Sequence, residues 1–128
     1  VPIMKTVLFI SSNKMLGQGL SSVIQAKPEL EVQWAGQLPY PQAIIGVEIY
    51  QADVMILDIV DQAELEQAVE ICRSLRREEP GVKILLLVRP EQAAVRKVAV
   101  EAKNMALADD FVFYDSSLTY LLAKLAAF

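Results

Sequence analysis

Asp58 is the residue of this chain whose type and position most clearly suit a role in chemistry. It follows the apolar run Met55-Ile56-Leu57 and so stands where a buried strand reaches its carboxyl end. Other polar or aromatic side chains follow further apolar runs in the same way: Ser11, Ser12, Asn13, Arg89 and Tyr114. A carboxylate in such a place can pair with a guanidinium or contribute to a site for a hard cation.

Histidine is absent from the chain, and Cys72 is its one cysteine. Ser/His/Asp and Cys/His catalysis, the usual zinc sites and phosphotransfer through histidine are thereby excluded. Cys72 lies on the apolar stripe of a predicted helix, so we interpret it as a small buried hydrophobe. Met15, Met55 and Met105 are expected to fill gaps in the core. With no intrachain disulfide possible, we expect a reducing, cytoplasmic location.

The composition indicates one folded domain over residues 1–128, because 54% of the residues are hydrophobic and 22% are charged. The net charge of -4 argues against direct nucleic-acid binding, which needs clustered basic residues. Arg73, Arg76 and Arg77 are followed at once by two glutamates, and we interpret them as a solvated helix end. No apolar run reaches the length of a membrane span, so a soluble protein is expected.

Five short apolar runs predict strands, and they are Thr6–Ile10, Val32–Ala35, Asp53–Leu57, Lys83–Val88 and Phe111–Tyr114. Three of them are continuous rather than alternating, as in strands that are covered on both faces. The segments between and after them have helical spacing of apolar residues. The sequence therefore predicts a βαβαβαβαβα order, a parallel sheet and right-handed crossovers.

Capping and breaking residues mark the helices. Asp61 with Glu64 forms a capping-box pattern before the third helix. Pro90 is expected in the first turn of the fourth helix, and Ser116-Ser117 supplies a cap for the fifth. The second helix is expected at about Pro41–Tyr50, and the pattern indicates it least clearly of the five because Gly46 interrupts it.

The predicted fold is a three-layer α/β/α sandwich with a flavodoxin-like sheet in the order 2-1-3-4-5. In this order the functional crevice lies beyond the carboxyl ends of strands one, three and four. The residues expected there are Ser11 to Lys14, Asp58 to Asp61 and Val88 to Glu91.

Five βα units in this length, with Met55-Ile56-Leu57-Asp58 at the third strand, resemble the CheY-like receiver domain of two-component response regulators, and the resemblance covers nearly the whole chain. It implies a regulatory role in signal transduction, with Asp58 as the phosphoacceptor. Members of that family usually continue into an output domain, and whether this chain is the amino-terminal part of a longer regulator stays open.

Most of the family's phosphorylation residues are replaced here. The resemblance places the two acidic Mg²⁺ ligands of the family on Ser11 and Ser12, and its lysine on Tyr114. The family's hydroxyl residue falls on Arg89, or on Val88 if the register shifts by one. Two neutral hydroxyls cannot replace two anionic ligands, so weak or absent Mg²⁺ binding and no required cofactor are expected. The resemblance is therefore to a degenerate receiver, or pseudo-receiver.

Two further interpretations of the crevice stay open. Ser11, Ser12 and Asn13 are suited to capping a helix, and the alternative is that their loop holds an anion at the helix amino terminus. Asp58 is expected to pair with Arg89, because these residues end adjacent strands.

Three functions follow, and the first is a non-enzymatic, phosphorylation-independent module that acts by protein–protein interaction. The second is an atypical receiver phosphorylated on Asp58 by a sensor histidine kinase, and the third is a small enzyme or small-molecule binder at the crevice. A partner protein or second copy is expected on the face of the fourth helix, fifth strand and fifth helix. There a leucine stripe would be buried and other side chains left free: Leu118, Leu121, Leu122 and Leu125, then Tyr120, Lys124 and Phe128.

Overall fold

The structure is a computed structural model and describes residues 4–89 and 91–128. Its strands are β1 Lys5–Ile10, β2 Val32–Leu38, β3 Val54–Ile59, β4 Lys83–Val88 and β5 Asp110–Phe113. Its helices are α1 Lys14–Gln25, α2 Ala43–Tyr50, α3 Gln62–Glu78, α4 Ala93–Asn104 and α5 Leu118–Ala127. Single 3-10 turns lie at Pro28–Leu30 and Tyr40–Gln42. Pro90, which was expected to begin the fourth helix, and Val1 to Ile3 lie outside the described residues.

The five strands form one parallel sheet in the order β2-β1-β3-β4-β5, which confirms the predicted fold. β3 lies at the centre, and all six of its residues are buried. The pairing of β1 with β2 shifts register between Val7 and Leu8, which pair with Trp34 and Gly36, so Ala35 forms a bulge in β2. Continuous apolar runs thus became strands covered on both faces, as their composition indicates.

Each face of the sheet has its own apolar layer. One layer joins the sheet to α2, α3 and α4 through residues such as Val47, Leu65 and Val95. The other joins it to α1 and α5 through Leu20 and Leu122. The three-layer arrangement follows from this, because each helix buries one stripe and the sheet buries both faces.

Gly46 does not break α2, which runs from Ala43 to Tyr50, close to the expected segment of about Pro41–Tyr50. A Cβ atom at this position would lie 2.5 Å from Leu38 Cδ1 and 3.1 Å from Leu8 Cδ2. The glycine therefore permits α2 to approach the sheet more closely than a larger residue would. The cost in helix propensity is offset by packing.

Polar side chains cap the amino termini of three helices, α1, α3 and α5. The carboxylate of Asp61 accepts from the Glu64 N–H at 2.9 Å, as predicted for α3, and the Ser117 hydroxyl accepts from the Tyr120 N–H at 3.1 Å at the start of α5. The capping box is displaced by one residue, since the Glu64 side chain accepts from the N–H of Val60 at 2.9 Å.

Arg76 corrects the interpretation of its basic cluster as a solvated helix end. Its side chain is 20% exposed, and its guanidinium lies 2.6 Å from the carboxylate of Asp109. It also donates to three main-chain carbonyls, at 2.9 to 3.1 Å, of Val82, Ala106 and Leu107. Arg76 thus ties the end of α3 to the segments that precede β4 and β5. By contrast, Arg73 is 54% exposed and pairs with Glu70 of its own helix.

Lys5, at the start of β1, reaches the end of α5. Its ammonium donates to the carbonyl of Ala126 at 2.5 Å and to that of Leu125 at 3.4 Å. A cation here is favourable, because the last carbonyls of a helix have no intrahelical partner and carry partial negative charge.

Candidate functional site

Asp58 lies inside β3 rather than after it, opposite Leu87 of β4, and only 1% of its surface is exposed. The Ser11 hydroxyl donates to its Oδ2 atom at 2.5 Å. The Ser11 hydroxyl oxygen in turn accepts from the Asn13 N–H at 2.9 Å. Ser11, which is itself buried, therefore joins the end of β1 to the acid of β3.

Burial raises the pKa of Asp58 above its usual value, and the charge of Glu64 acts in the same direction. The hydrogen bond from Ser11 and the charge of Arg89 oppose this shift without cancelling it. Tyr40 closes the same region, because its hydroxyl donates to the main-chain carbonyl of Asp58 at 2.6 Å. Burial also raises the pKa of Tyr40, so this phenol stays protonated and keeps its role as a donor.

The predicted contact between Asp58 and Arg89 is not formed, and the strand register explains why. Asp58 is opposite Leu87, so Arg89 lies two residues farther along the chain than the residue paired with Asp58. Its guanidinium lies 3.8 Å from the Glu91 carboxylate and 5.2 Å from the centre of the Tyr114 ring. Asp58 and Arg89 thus interact through longer-range electrostatics and do not form an ion pair.

Three buried polar atoms in this crevice have no hydrogen-bond partner among the residues that the structure describes. They are Asp58 Oδ1, Arg89 Nε and the Tyr114 hydroxyl. They come from the carboxyl-terminal ends of β3, β4 and β5 and include both donors and acceptors. The crevice is therefore polar, and among the described residues these three atoms are its unused hydrogen-bonding groups.

The loop of Ser11, Ser12 and Asn13 behaves as a helix cap. The Asn13 side chain accepts from the Leu16 N–H at 3.0 Å, and Ser12 is exposed. The Gln37 carboxamide donates to the carbonyls of Ser11 and Asn13, at 2.9 Å each. Because these contacts hold the loop from β2, the geometry favours capping over an anion site.

Sequence reasoning missed Gln37, Tyr40 and Gln92, which hold the rim of the crevice. Gln92 donates from Nε2 to the carbonyl of Val60 at 3.0 Å. Glutamine and tyrosine carry no motif that distinguishes such roles. Only the fold brings their side chains to these main-chain carbonyls.

The crevice does not fit the magnesium site that the resemblance implies. The resemblance places one acidic ligand at Ser11, whose neutral hydroxyl donates to Asp58 Oδ2 and leaves Oδ1 as the unpaired oxygen of the carboxylate. Across residues 4–89 and 91–128, no group of three or more Asp, Glu, His or Cys side chains is arranged to hold a metal ion. Magnesium prefers several oxygen ligands with anionic charge, and one buried carboxylate supplies too few of them.

In the same ranges, no helix combines the length and apolar character needed to cross a membrane. The sequence significantly matches no family model and no curated protein. The fold, in contrast, matches many solved structures.

A DNA-binding response regulator of the LuxR family from Staphylococcus aureus has a TM-score of 0.76 and 17% identity, over 97% of this chain and 98% of that one. A two-component response regulator from Clostridium difficile has a TM-score of 0.76 and 18% identity, over 97% and 94%. The response regulator TrrA from Thermotoga maritima, solved with Mg²⁺-BeF, has a TM-score of 0.72 and 20% identity, over 97% and 98%. At these identities the similarity concerns the fold.

Proposed function

We propose that this chain, which has the receiver-domain fold of response regulators, is a cytoplasmic signal-transduction module that works without phosphorylation of Asp58. It regulates by binding another protein and carries out no chemical reaction. The fold similarity supports the signalling role, and the contacts of Asp58 support independence from phosphorylation.

The main support for independence from phosphorylation is the 2.5 Å hydrogen bond from the Ser11 hydroxyl to Asp58 Oδ2. A receiver needs this carboxylate as a free nucleophile beside a metal ion, because the incoming phosphoryl group is dense in negative charge. Here the position of one metal ligand is a neutral donor that binds Oδ2 of Asp58, while Oδ1 has no partner among the described residues. A neutral hydroxyl at that position supplies no anionic charge to hold a metal ion.

The alternative function is an atypical receiver that is still phosphorylated on Asp58. Arg89 favours it, since its charge acts on Asp58 and its Nε atom has no partner among the described residues. A guanidinium can replace the family's lysine as the fixed cation, but it cannot replace the metal. A small-molecule binder is supported only by the three unpaired polar atoms of the crevice, and we rank it third.

Incubation with acetyl phosphate and Mg²⁺ is expected to leave the intact mass of the protein unchanged. Loss of the two anionic metal ligands removes several kcal/mol of transition-state stabilisation, by the magnitudes typical of such electrostatic groups. Mass spectrometry under native and acid-quenched conditions gives the measurement. Thermal unfolding with Mg²⁺ and beryllofluoride should likewise show no shift.

The Asp58→Asn variant is the control for this experiment. A stoichiometric gain of one phosphoryl group in the wild-type protein, absent from D58N, would overturn the proposal and establish the atypical receiver instead. Ser11→Asp restores one anionic ligand position, and Mg²⁺ binding by S11D but not by the wild type would support the assigned role of Ser11.

The face formed by α4, β5 and α5 is the proposed site for the protein partner. It exposes apolar groups on both helices, with Val100 41% exposed, Leu118 42% and Tyr120 47%. Two details of the sequence expectation were wrong: Leu118 is not buried, and Phe128 packs against the core. Leu121, Leu122 and Leu125 are buried as predicted.

Lys124 is not a free charge on this face. It donates a hydrogen bond to Asp110, and Lys103 lies 3.0 Å from the other oxygen of the same carboxylate. Burial acts to raise the pKa of Asp110, but the hydrogen bonds from Lys124 and Lys103 outweigh it and hold this pKa below its ordinary value. The cluster is therefore ionised and stays part of the face at neutral pH.

Tyr120→Ala is expected to weaken partner binding at least tenfold, the typical loss when an exposed aromatic anchor is removed from an interface. The measurement compares proteins retained from cell extract by the wild type, by Y120A and by Arg73→Ala, a truncation on α3 at a side chain that is 54% exposed. A partner that is lost with Y120A and kept with R73A supports this face. A partner lost only with R73A contradicts it.

A further inference from the structure

The two edges of the sheet differ in how they are protected. At one edge β5 has four residues, and it carries Asp110 with its two lysine partners. At the other edge β2 has seven residues, VQWAGQL, without a charged residue or a proline. Charges, prolines, bulges and short length are among the features that keep edge strands from pairing with other chains. β2 has a bulge at Ala35, but it is seven residues long and carries neither a charge nor a proline.

The outward main-chain groups of β2 have no strand partner in the described ranges, where β1 is its only neighbour in the sheet. The strand is largely half-exposed from Trp34 to Leu38. Its one irregularity is the bulge at Ala35, which leaves Gly36 to Leu38 paired in regular register with β1. Unpaired N–H and C=O groups along an extended strand are complemented best by a second extended strand.

An exposed apolar helix surface lies beside this edge. Ile45 is 55% exposed and Ile49 is 68% exposed, and the two residues are one turn apart on α2. The end of this helix lies over β2, since the Tyr50 hydroxyl is 3.9 Å from the position of a Cβ atom on Gly36. The acid of this helix, Glu48, projects about 100° around the axis from Ile49. We call Ile45, Ile49, Tyr50 and β2 the β2–α2 edge.

We propose that the β2–α2 edge binds a second copy of this chain, with the two β2 strands antiparallel across a two-fold axis. The arrangement joins two five-stranded sheets into one and packs the isoleucines of α2 beside the shared strands. This interface is separate from the partner face proposed on α4, β5 and α5.

A second copy fits this edge for two reasons. An antiparallel pair of identical strands is self-complementary, so a two-fold axis satisfies both edges with one set of contacts. The chain carries a net charge of -4, and a strand without charge opposes no like charges when two copies meet. Seven residues span about 23 Å, which is long enough for several main-chain hydrogen bonds across the axis.

Sedimentation velocity from about 10 µM to about 1 mM tests the proposal, a range that covers weak and moderate dimers. The wild-type protein is expected to shift from monomer to dimer within it. Ile49→Glu should weaken the dimer at least tenfold by placing like charges at the interface. Met105→Glu is the matched control, because Met105 is also 68% exposed but lies at the end of α4.

Hydrogen exchange supplies the readout for the strand itself. Amides on the outer side of residues 32–38 should exchange more slowly as the wild-type concentration rises, and this dependence should disappear in I49E. A monomer at about 1 mM overturns the proposal. So does a dimer that M105E or Y120A dissociates and I49E does not, or one in which β2 exchange is independent of concentration.

Discussion

Arg76→Ala is expected to destabilise the fold by about 3 kcal/mol and to lower the midpoint of thermal unfolding by about 10 °C. The substitution leaves the half-buried carboxylate of Asp109 without its 2.6 Å partner. It also removes donors from the carbonyls of Val82, Ala106 and Leu107. The part-buried carbonyls of Val82 and Leu107 would lose a donor, and Asp109 would keep the Ile84 N–H at 2.8 Å and Lys83 at 3.9 Å.

Arg73→Ala is the matched control for this measurement, made by urea unfolding. Arg73 lies one turn earlier on α3, is 54% exposed, and pairs with Glu70 at 2.6 Å. Exposed pairs of this type contribute about 0.5 kcal/mol or less. If R76A and R73A lose the same small amount of stability, Arg76 does not tie α3 to the sheet in the way described.

Asp58→Asn is expected to stabilise the protein at pH 7 by about 1 kcal/mol, which is unusual for a change at a buried polar position. The amide oxygen can still accept from the Ser11 hydroxyl, while the cost of burying a charge disappears. The unpaired Oδ1 atom of Asp58 shows where that cost arises. Urea unfolding of the two proteins measures the difference.

The stability difference between D58N and the wild type should depend on pH. Burial raises the pKa of Asp58 in the folded protein. The stability that this group contributes is therefore fully present at pH values below the pKa that Asp58 has in the unfolded chain. It is lost as the pH rises through the folded pKa. The advantage of D58N should therefore shrink as the pH falls from 7 toward the unfolded value. The exposed Asp115→Asn is the control, and a D58N that is less stable than the wild type at pH 7 would refute the argument.

Strand order and most element positions could be predicted because the spacing of apolar residues along the sequence indicates which side chains the fold buries. The run Lys83–Val88 was predicted at its observed bounds, and Asp61 caps α3 as its type indicates. Local chemistry failed where the core decides: Met15 and Met105, expected inside, are 83% and 68% exposed. Gly46 suggested a break, but the helix continues because α2 packs closely on Leu38.

The candidate site was harder to predict, since it depends on register and on long-range side-chain contacts. Asp58 was found from its place in an apolar run. The predicted pairing of Asp58 with Arg89 was wrong. Asp58 lies opposite Leu87, so Arg89 comes two residues later and its guanidinium lies near Glu91. The contact between Ser11 and Asp58 joins residues 47 positions apart and has no local signature.

The contact between Lys5 and the carbonyl of Ala126 makes the path of the chain nearly a closed ring. A short linker could join the end of α5 to the start of β1, and the backbone could then be opened elsewhere with the strand pairing kept. The turn at Gly81, where an added Cβ would meet no atom within 4 Å, is a suitable opening. A circular permutant opened there would begin at β4 and leave the Ser11 and Asp58 crevice, at the opposite ends of the strands, in place.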